Sequence, residues 1–341
     1  MNFKGVEICC PHCQGDLQGA EVEEGYLHCV ACRRRFPVLF GIPDLRVFSD
    51  PYIELEADRA KGLRLAAQYD TLSFAELVAL YYRMTPDVPP YQAQRYTRGL
   101  MAGVSRATEA LAVWEEYATT KGRPASALLE IGCGTGPLLV AAAGRFRHLV
   151  GVDIAFRWLV IAKKRLAEAG LDVPLICACA EALPFPDNAF DRIVADSVLE
   201  HVRDQHQTLV ECHRILRLSG YLFIATPNRY SLGPDPHVGL WLGGVLPETW
   251  VAAYARWRGG RRPQRRLLSA RSLSQLIQAT GYGRPLIFPP AISMDQRRSF
   301  GPAMQRLIDL YLLARRLPVS RQALPWLGPL LHAVVEKGPA S

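Results

Sequence analysis

The stretch Leu128-Leu-Glu-Ile-Gly-Cys-Gly-Thr-Gly136 decides the fold of this 341-residue chain. An apolar run carries one acid and passes into three alternating glycines, Gly132, Gly134 and Gly136. Because glycine lacks a Cβ, it allows a tight strand-to-helix turn and lets backbone N–H groups approach a ligand. A dinucleotide fingerprint would place Gly or Ala at position 137, where this chain has Pro137. The pattern therefore indicates a nucleotide-bearing cofactor other than a dinucleotide.

Further segments continue the pattern along the chain. His148–Asp153 reads as a second buried strand that ends in an acid, roughly 20 residues after the glycines. The runs 180–191, 192–201 and 216–228 follow in order. Together these segments resemble class I S-adenosylmethionine-dependent methyltransferases, in the style of those that modify quinones and other small molecules, and the GxGxG turn resembles their motif I. The resemblance covers about residues 125–228 and implies an α/β, Rossmann-like fold, with a seven-stranded sheet and helices on both faces.

The resemblance also implies which residues bind S-adenosylmethionine. Glu130 would join the hydrogen-bond network at the methionine end, and Asp153 would bind the ribose hydroxyls. Glu181 would contact adenine, although it also reads as a solvated loop acid. Two residues before it the family commonly has Asp, where this chain has Cys179, a poor acceptor. The full predicted set is Glu130, Gly132, Cys133, Gly134, Gly136, Asp153, Ile154, Ala180, Glu181, Asp196 and Ser197.

Two CxxC pairs near the N-terminus predict a metal site. The pairs Cys10-Pro-His-Cys13 and Cys29-Val-Ala-Cys32 have the spacing of a zinc ribbon with four thiolate ligands to Zn²⁺. Cys9 reads as a neighbour of this set, while His12 and His28 are alternative ligands. Residues 10–45 are similar to the small zinc-ribbon proteins that activate tRNA and protein methyltransferases, and they resemble the zinc domain of some rRNA methyltransferases. A structural role on the catalytic domain and a role in substrate recognition both remain open.

Composition describes a globular protein with an ordinary core. The chain is 49% hydrophobic and 21% charged, which supports one large domain and one small domain and excludes a disordered chain. Its nine cysteines are not spaced as a disulfide framework, the N-terminus lacks an apolar signal core, and no apolar run reaches membrane-spanning length. These features predict a cytoplasmic protein. The net charge of +8 would favour polyanions or anionic lipid as partners.

The pattern predicts three regions. They are a zinc ribbon at 1–47, a helical linker or cap at 48–122, and a methyltransferase domain at 123–341 with insertions at about 229–268 and 291–325. Helices are predicted at 74–82, 97–119, 269–279 and 302–316. Strands are predicted near 127–131, 148–153, 173–177, 191–196, 221–225 and 331–336.

The insertion at 229–268 is the part that the fold dictates least. A helix is predicted from Pro247, and Trp250, Tyr254 and Trp257 share one of its faces. The arginine-rich run 256–266 follows directly. These aromatic and basic residues could bind RNA, contact a membrane surface peripherally, or cap the acceptor pocket.

Methyl transfer needs little from the protein beyond alignment of the acceptor and exclusion of water, since the cofactor carries an activated methyl group. A general base is required only if the acceptor must lose a proton. His201, beside Glu200, and His237, near Asp235, are the candidates, and each is also explained as a loop or turn residue.

The sequence therefore predicts methyl transfer to an O, N or C atom of a small-molecule or lipid-like acceptor. An rRNA or tRNA methyltransferase that uses the ribbon and the basic run is the alternative. Thr226-Pro-Asn228 lacks the aromatic residue of a base-methylating Asn/Asp-Pro-Pro-Tyr tetrad, which disfavours amino methylation of a base. A non-catalytic S-adenosylmethionine-binding scaffold is a third hypothesis.

Overall fold

The N-terminal region forms two small antiparallel sheets. In the computed structural model the described residues are 1–19, 23–117, 126–235, 237–260, 264–290, 292, 294–298, 301–317 and 324–339. The first sheet pairs β1 (Asn2–Phe3) with β2 (Val6–Glu7). The second has the order β3 (Leu17–Gln18), β4 (Gly25–Cys29), β5 (Arg35–Leu39) and β6 (Ile42–Pro43). Leu27 and Phe36 pair across β4 and β5 and are both buried, so alternation fixes the register.

Four helices follow: α1 (Leu55–Ala66), α2 (Phe74–Arg83), α3 (Pro90–Met101) and α4 (Gly103–Tyr117). Ser73 and Glu76 form a capping box that starts α2, so the helix predicted at 74–82 is confirmed. The prediction of a single helix at 97–119 is wrong in its bounds, because the structure has α3 and α4 there instead. Pro90 starts α3, because the fixed φ of proline suits the first helical position, and the helix stops before Gly103. Ala118 and Thr119 lie outside the described residues.

The rest of the described chain alternates strands and helices. Its elements are β7 (Ala127–Ile131), α5 (Pro137–Ala142), β8 (His148–Asp153), α6 (Phe156–Glu168), β9 (Leu175–Cys177), β10 (Phe190–Asp196), α7 (Gln205–Ile215), β11 (Leu216–Pro227), α8 (Glu248–Trp257), α9 (Ala270–Gln278), β12 (Leu286–Phe288), α10 (Met294–Arg298), α11 (Pro302–Arg316) and β13 (Leu330–Glu336).

These strands make one seven-stranded sheet in the order β12-β13-β11-β10-β7-β8-β9. Strands β7 to β11 are parallel, whereas β13 runs antiparallel to both β11 and β12. Leu128 packs towards α4 and α5, while its neighbour Leu129 packs towards α7 and α9. Helices therefore cover both faces, and the predicted Rossmann-like fold is confirmed. Strand β12 was not predicted.

The N-terminal region packs onto the open edge of this sheet. Asp44, directly after β6, forms a parallel bridge with Cys177 of β9, and the Leu45 amide donates to the Cys177 carbonyl at 2.7 Å. Side chains from β1 to β5 and from the large sheet share one apolar core, and Ile42 of β6 lies in a second core with Cys177 of β9. In the part of the chain that the structure describes, no helix is both long and apolar enough to cross a bilayer. The predicted region boundaries at 47/48 and 122/123 stay predictions.

Candidate functional site

The glycine turn between β7 and α5 has the backbone that the sequence predicts. Gly132, Gly134 and Gly136 have φ values of 69°, 52° and 70°, a region that favours glycine. A Cβ on Gly132 would lie 2.3 Å from a methyl carbon of Val198, so no side chain fits there. Nothing lies within 4 Å of a Cβ built on Gly134. The turn therefore leaves open space in front of the strand end.

Asp153 ends β8 and holds the glycine turn in place. One of its carboxylate oxygens accepts the Gly134 N–H at 2.8 Å, and the other accepts the Ala155 N–H at 2.7 Å. Burial raises the pKa of this carboxyl to about 6. Each oxygen retains lone-pair capacity for a further donor, such as a ribose hydroxyl.

A cavity of about 240 Å³ lies at the carboxyl ends of β7, β8 and β10. In open α/β sheets this is where ligands bind. Seven of the residues predicted from the sequence line it: Gly132, Asp153, Ile154, Ala180, Glu181, Ser197 and His201. Five predicted cofactor residues do not line it: Glu130, Cys133, Gly134, Gly136 and Asp196.

Three of these five, Glu130, Cys133 and Gly136, are buried in the protein. Glu130 is 5% exposed, and burial, followed by the charges of Asp196 and Asp153, raises the pKa of its carboxyl well above the ordinary value. Cys133 is also buried, and its amide donates to the carbonyl of Val152. The cofactor roles given to the predicted set stay predictions.

The departure from the family pattern at Cys179 lies away from this cavity. The Cys179 side chain is buried, and its thiol donates to the Phe48 carbonyl at 3.5 Å. Glu181 does line the cavity, and one of its oxygens accepts the amides of Arg203 and Asp204 at 2.7 and 3.3 Å. The carboxylate is therefore fixed at the start of α7, and it is not a free loop acid.

Sequence reasoning missed the wall that closes the cavity from the N-terminal side. Phe48, Asp50, Pro51 and Tyr52 line it, although they precede the glycine turn by about 80 residues. A buried ion-pair network holds this segment. Arg157 of α6 bonds both Asp50 and Asp58, and Asp58 also binds Arg46. The three Asp and two Arg residues in 44–59 were the available signal.

A second cavity, of about 450 Å³, adjoins the first and shares Tyr52, Arg157 and Trp158 with it. Of its other fifteen lining residues, seven lie on α3 or in the connection between α2 and α3, and one each lies on α1, α2 and α8. Aromatic and cationic side chains meet there: the Arg258 guanidinium lies 4.5 Å from the ring centre of Tyr91.

The two histidines predicted as alternative bases are in contact between the cavities. Their Nε2 atoms are 3.1 Å apart, and His201 lines the first cavity while His237 lines the second. Glu200 Oε1 lies 4.0 Å from each Nε2 atom. Burial lowers the pKa of His201 to about 4 and also lowers that of His237, while burial raises the pKa of Glu200 to about 7.

The four predicted cysteine ligands come together near the N-terminus. The Sγ atoms of Cys10, Cys13, Cys29 and Cys32 all lie within 4.8 Å of one another, with two separations of 3.5 and 3.6 Å. A tetrahedral ion with Zn–S bonds of about 2.3 Å sets its sulfurs about 3.8 Å apart, so the donor set fits Zn²⁺. Cys9 stands outside the group, as predicted.

The structure corrects the expectation for the aromatic stripe on α8. The helix begins at Glu248, after Pro247, but it buries Val251 and Ala255. Trp250 and Trp257 are 64% and 77% exposed, so they neither cap the acceptor cavity nor enter the core. The aromatic side of α8 is turned away from the second cavity because Ala255, Arg258 and Gly260 face that cavity instead.

The basic run beyond α8 is only partly available to a polyanion. The Arg265 side chain is buried against Asp235, and Arg266 donates to the Arg203 carbonyl at 2.9 Å. Arg261 and Arg262 lie outside the described residues.

Fold and site together define a Rossmann-like α/β protein with one cavity at the strand ends and a second cavity adjoining it. Residues 129–224 match the family model described as "Methyltransferase domain". That span carries the glycine turn and β8 to β11, so the methyltransferase-domain prediction is confirmed for this part of the chain.

Two curated relatives are similar to part of this chain. The chain is 33% identical over 132 residues to the ubiquinone/menaquinone biosynthesis C-methyltransferase UbiE of Coxiella burnetii (strain Dugway 5J108-111), covering 36% of this chain and 51% of the relative. It is 39% identical over 101 residues to a ubiquinone biosynthesis O-methyltransferase of Parvibaculum lavamentivorans, covering 30% and 40%. The chain thus spans about half the length of the curated relatives it matches.

Solved structures give weaker similarities. A possible histamine N-methyltransferase of Thermotoga maritima aligns with a TM-score of 0.44 and 18% identity, over 72% of this chain and 95% of that chain. A complex of the Haloferax volcanii Trm112 methyltransferase activator with a putative methyltransferase gives a TM-score of 0.44 and 14% identity, over 71% and 94%.

Proposed function

We propose that this protein transfers the methyl group of S-adenosylmethionine to a small-molecule acceptor. The observation that carries the proposal is the pair of adjoining cavities. One lies where the glycine turn and Asp153 meet, and the other shares Tyr52, Arg157 and Trp158 with it. A methyl donor and an acceptor bound in these spaces would meet at their common wall, which is the alignment that methyl transfer requires.

The second cavity indicates the chemistry of the acceptor. Tyr81 and Trp158 are in contact in its wall, with ring centres 4.2 Å apart and ring planes tilted by 41°, and Lys61 lies 4.7 Å from the Tyr81 ring centre. Arg95 and Arg258 add two further cations. Aromatic walls and cations together favour an acceptor with a planar apolar body and a negative or strongly polar group. Quinone-related and other lipid-like acceptors belong to this class.

We further propose that the four cysteines bind Zn²⁺ as a structural ribbon, on the support of their donor set and separations. All nine cysteines lie in the described part of the chain and none forms a disulfide, which supports the reducing cytoplasm as the compartment. RNA as the acceptor is disfavoured because the Arg265 side chain is buried against Asp235 and not free for a polyanion.

Cofactor binding is tested by calorimetry with S-adenosylhomocysteine on Gly134→Val. The Gly134 N–H donates to Asp153, which lines the cavity, so a valine that shifts this turn should displace the carboxylate and we expect binding to be lost. Gly170→Val is the matched control, because Gly170 has a φ of 71° and also has nothing within 4 Å of its built Cβ, but lies at the far end of α6. Both variants carry similar backbone strain, of about 1–3 kcal/mol. Unchanged affinity in Gly134→Val would refute the cofactor assignment.

The acceptor is tested by label transfer. Zinc-loaded protein and methyl-labelled S-adenosylmethionine are mixed with cell extract separated into RNA, protein, lipid and small-molecule pools. Label in the lipid or small-molecule pool is the expected result. Label confined to RNA would overturn the acceptor proposal, and binding without transfer in all pools would favour the scaffold hypothesis.

A further inference from the structure

Three acceptor atoms converge between the two cavities. Glu200 Oε1 and the Nε2 atoms of His201 and His237 are separated by 4.0, 4.0 and 3.1 Å. The Glu200 side chain is 0% exposed, and its Oε1 has no hydrogen-bond partner among the described residues. Thr226 donates to the other oxygen, Oε2, at 3.0 Å, so the carboxylate is held with Oε1 directed at the histidines.

The N–H protons of the two histidines cannot provide a hydrogen bond to every acceptor atom of this cluster. His201 Nδ1 lies 3.0 Å from the carbonyl of Gln264, which places a proton on Nδ1 and leaves the Nε2 lone pair facing His237. If His237 carries its proton on Nδ1, towards Asp235 at 3.5 Å, two nitrogen lone pairs face each other beside a carboxylate oxygen.

The other tautomer of His237 leaves a different deficit. A proton on its Nε2 would bond His201, but His237 Nδ1 would then present a lone pair to the carboxylate of Asp235. Glu200 Oε1 would still be unpaired. Each buried unpaired acceptor is destabilising, because it has lost its water without gaining a partner in the protein. A cation bound by all three atoms provides a partner for Glu200 Oε1 and for the Nε2 lone pairs of both histidines.

We propose that Glu200, His201 and His237 bind one divalent transition-metal ion. A point equidistant from the three ligand atoms lies about 2.2 Å from each, given their separations of 4.0, 4.0 and 3.1 Å. This matches metal bonds of about 2.0–2.2 Å to His nitrogen and carboxylate oxygen. Two imidazoles and one carboxylate suit Zn²⁺, Fe²⁺, Co²⁺ or Mn²⁺.

The surroundings supply the outer contacts that metal ligands require. Gln264 and Thr226 orient His201 and Glu200, and Asp235 lies against His237. Such partners fix the tautomer and the direction of each ligand. The set is separate from the four-cysteine cluster and has a different donor chemistry.

The position of the ion extends the proposed function, on which this step rests. His201 lines the cofactor cavity and His237 lines the acceptor cavity, so an open coordination position would face the reacting groups. A hydroxyl oxygen bound there would lose its proton to solvent more readily, because the ion stabilises the alkoxide or phenolate. That oxygen would form the new C–O bond as the S–CH₃ bond breaks, which gives S-adenosylhomocysteine and narrows the acceptor to a hydroxyl compound.

The test is a Co²⁺ titration of full-length protein whose cysteine cluster has first been loaded with Zn²⁺. We expect one equivalent of Co²⁺ with visible d–d absorption and no thiolate charge-transfer band. Glu200→Gln, His201→Ala and His237→Ala should each weaken this binding by about 100-fold or more. His206→Ala is the matched control: it is an exposed histidine on neighbouring α7, and its removal should leave Co²⁺ binding unchanged.

The titration contains neither cofactor nor acceptor, so its failure is distinguishable from failure of the proposed function. The metal site would be overturned if the wild-type protein bound no Co²⁺ through non-sulfur ligands. It would also be overturned if the three variants bound Co²⁺ as tightly as the wild type does. Circular dichroism checks folding. If Glu200→Gln does not fold, His237→Ala decides the result, since that side chain is 19% exposed and lies on the insertion. S-adenosylhomocysteine calorimetry on the same samples reports separately on the cofactor cavity.

Discussion

Replacing Asp58 should destabilise the protein more than replacing any exposed acid, because Asp58 joins the N-terminal region to the large sheet. Its side chain is 0% exposed. One oxygen accepts from Arg157 Nη1, and the other accepts from Arg46 Nη1 at 2.7 Å and from the Phe156 amide at 2.9 Å. The carboxylate therefore neutralises two buried guanidinium groups and caps α6.

We expect Asp58→Ala to lower the free energy of unfolding by about 3–5 kcal/mol, the cost of breaking a buried pair and leaving its partner charged. Arg46 and Arg157 keep Asp44 and Asp50 as partners, so the lower end of this range is expected. Urea denaturation followed by tryptophan fluorescence measures the loss. Asp58→Asn keeps the shape and removes only the charge.

Asp172→Ala is the matched control for this experiment. Asp172 pairs with Lys4 at 2.6 Å, so it also joins the N-terminal region to the rest of the chain, but its side chain is 79% exposed. Exposed pairs contribute about 0–1 kcal/mol. If Asp58→Ala lies within about 1 kcal/mol of Asp172→Ala, the network does not hold the two regions together.

Three further changes test other parts of the structure. Cys10→Ser should release the metal of the cysteine cluster and expose the N-terminal region to protease, and unchanged zinc content in elemental analysis would count against the ribbon. Burial lowers the pKa of His332 to about 4 from an ordinary 6.5, so its contribution to stability is complete above about pH 6.5 and is lost as the pH falls towards 4, by about 3 kcal/mol. His332→Leu should flatten this acid dependence in urea titrations, whereas His148→Leu, at an exposed site, should not. Arg265→Ala should reduce stability by several kcal/mol, since it leaves Asp235 buried without its cation; a loss below about 1 kcal/mol would contradict the pairing.

Local sequence signals predicted the parts of the fold that depend on local geometry. The glycine turn requires positive φ at three positions, and these positions have it. Buried strands such as β7 and β8 are continuous apolar runs, so they were found within about a residue. Strand β12 was missed because three residues at the edge of the sheet carry no periodicity, and its pairing depends on β13, more than 40 residues later in the chain.

Contacts between distant segments could not be read from the sequence. The sequence does not show that His201 and His237 meet, because 36 residues separate them and only the folded insertion brings their rings together. The wall from Phe48 to Tyr52 depends in the same way on Arg157 of α6. The prediction that the aromatic face of α8 caps the acceptor pocket was wrong for a different reason. Helical spacing shows that Trp250 and Trp257 share a side, but it does not show which side is buried.

The connection between the cysteine cluster and the cofactor cavity gives the N-terminal region a role that does not require substrate contact. Strand β6 leads through Asp44, which bridges to β9, into Arg46 and then into the wall formed by Phe48 and Tyr52. Arg46 also donates to the carbonyl of Ile154, beside the proposed ribose-binding Asp153. The Arg46 side chain therefore contacts both the N-terminal region and the end of β8. Loss of the metal would therefore change the shape of the cofactor cavity, because packed backbone and buried ion pairs connect the two sites. The affinity for S-adenosylmethionine would fall even if the cysteine cluster never contacts the acceptor.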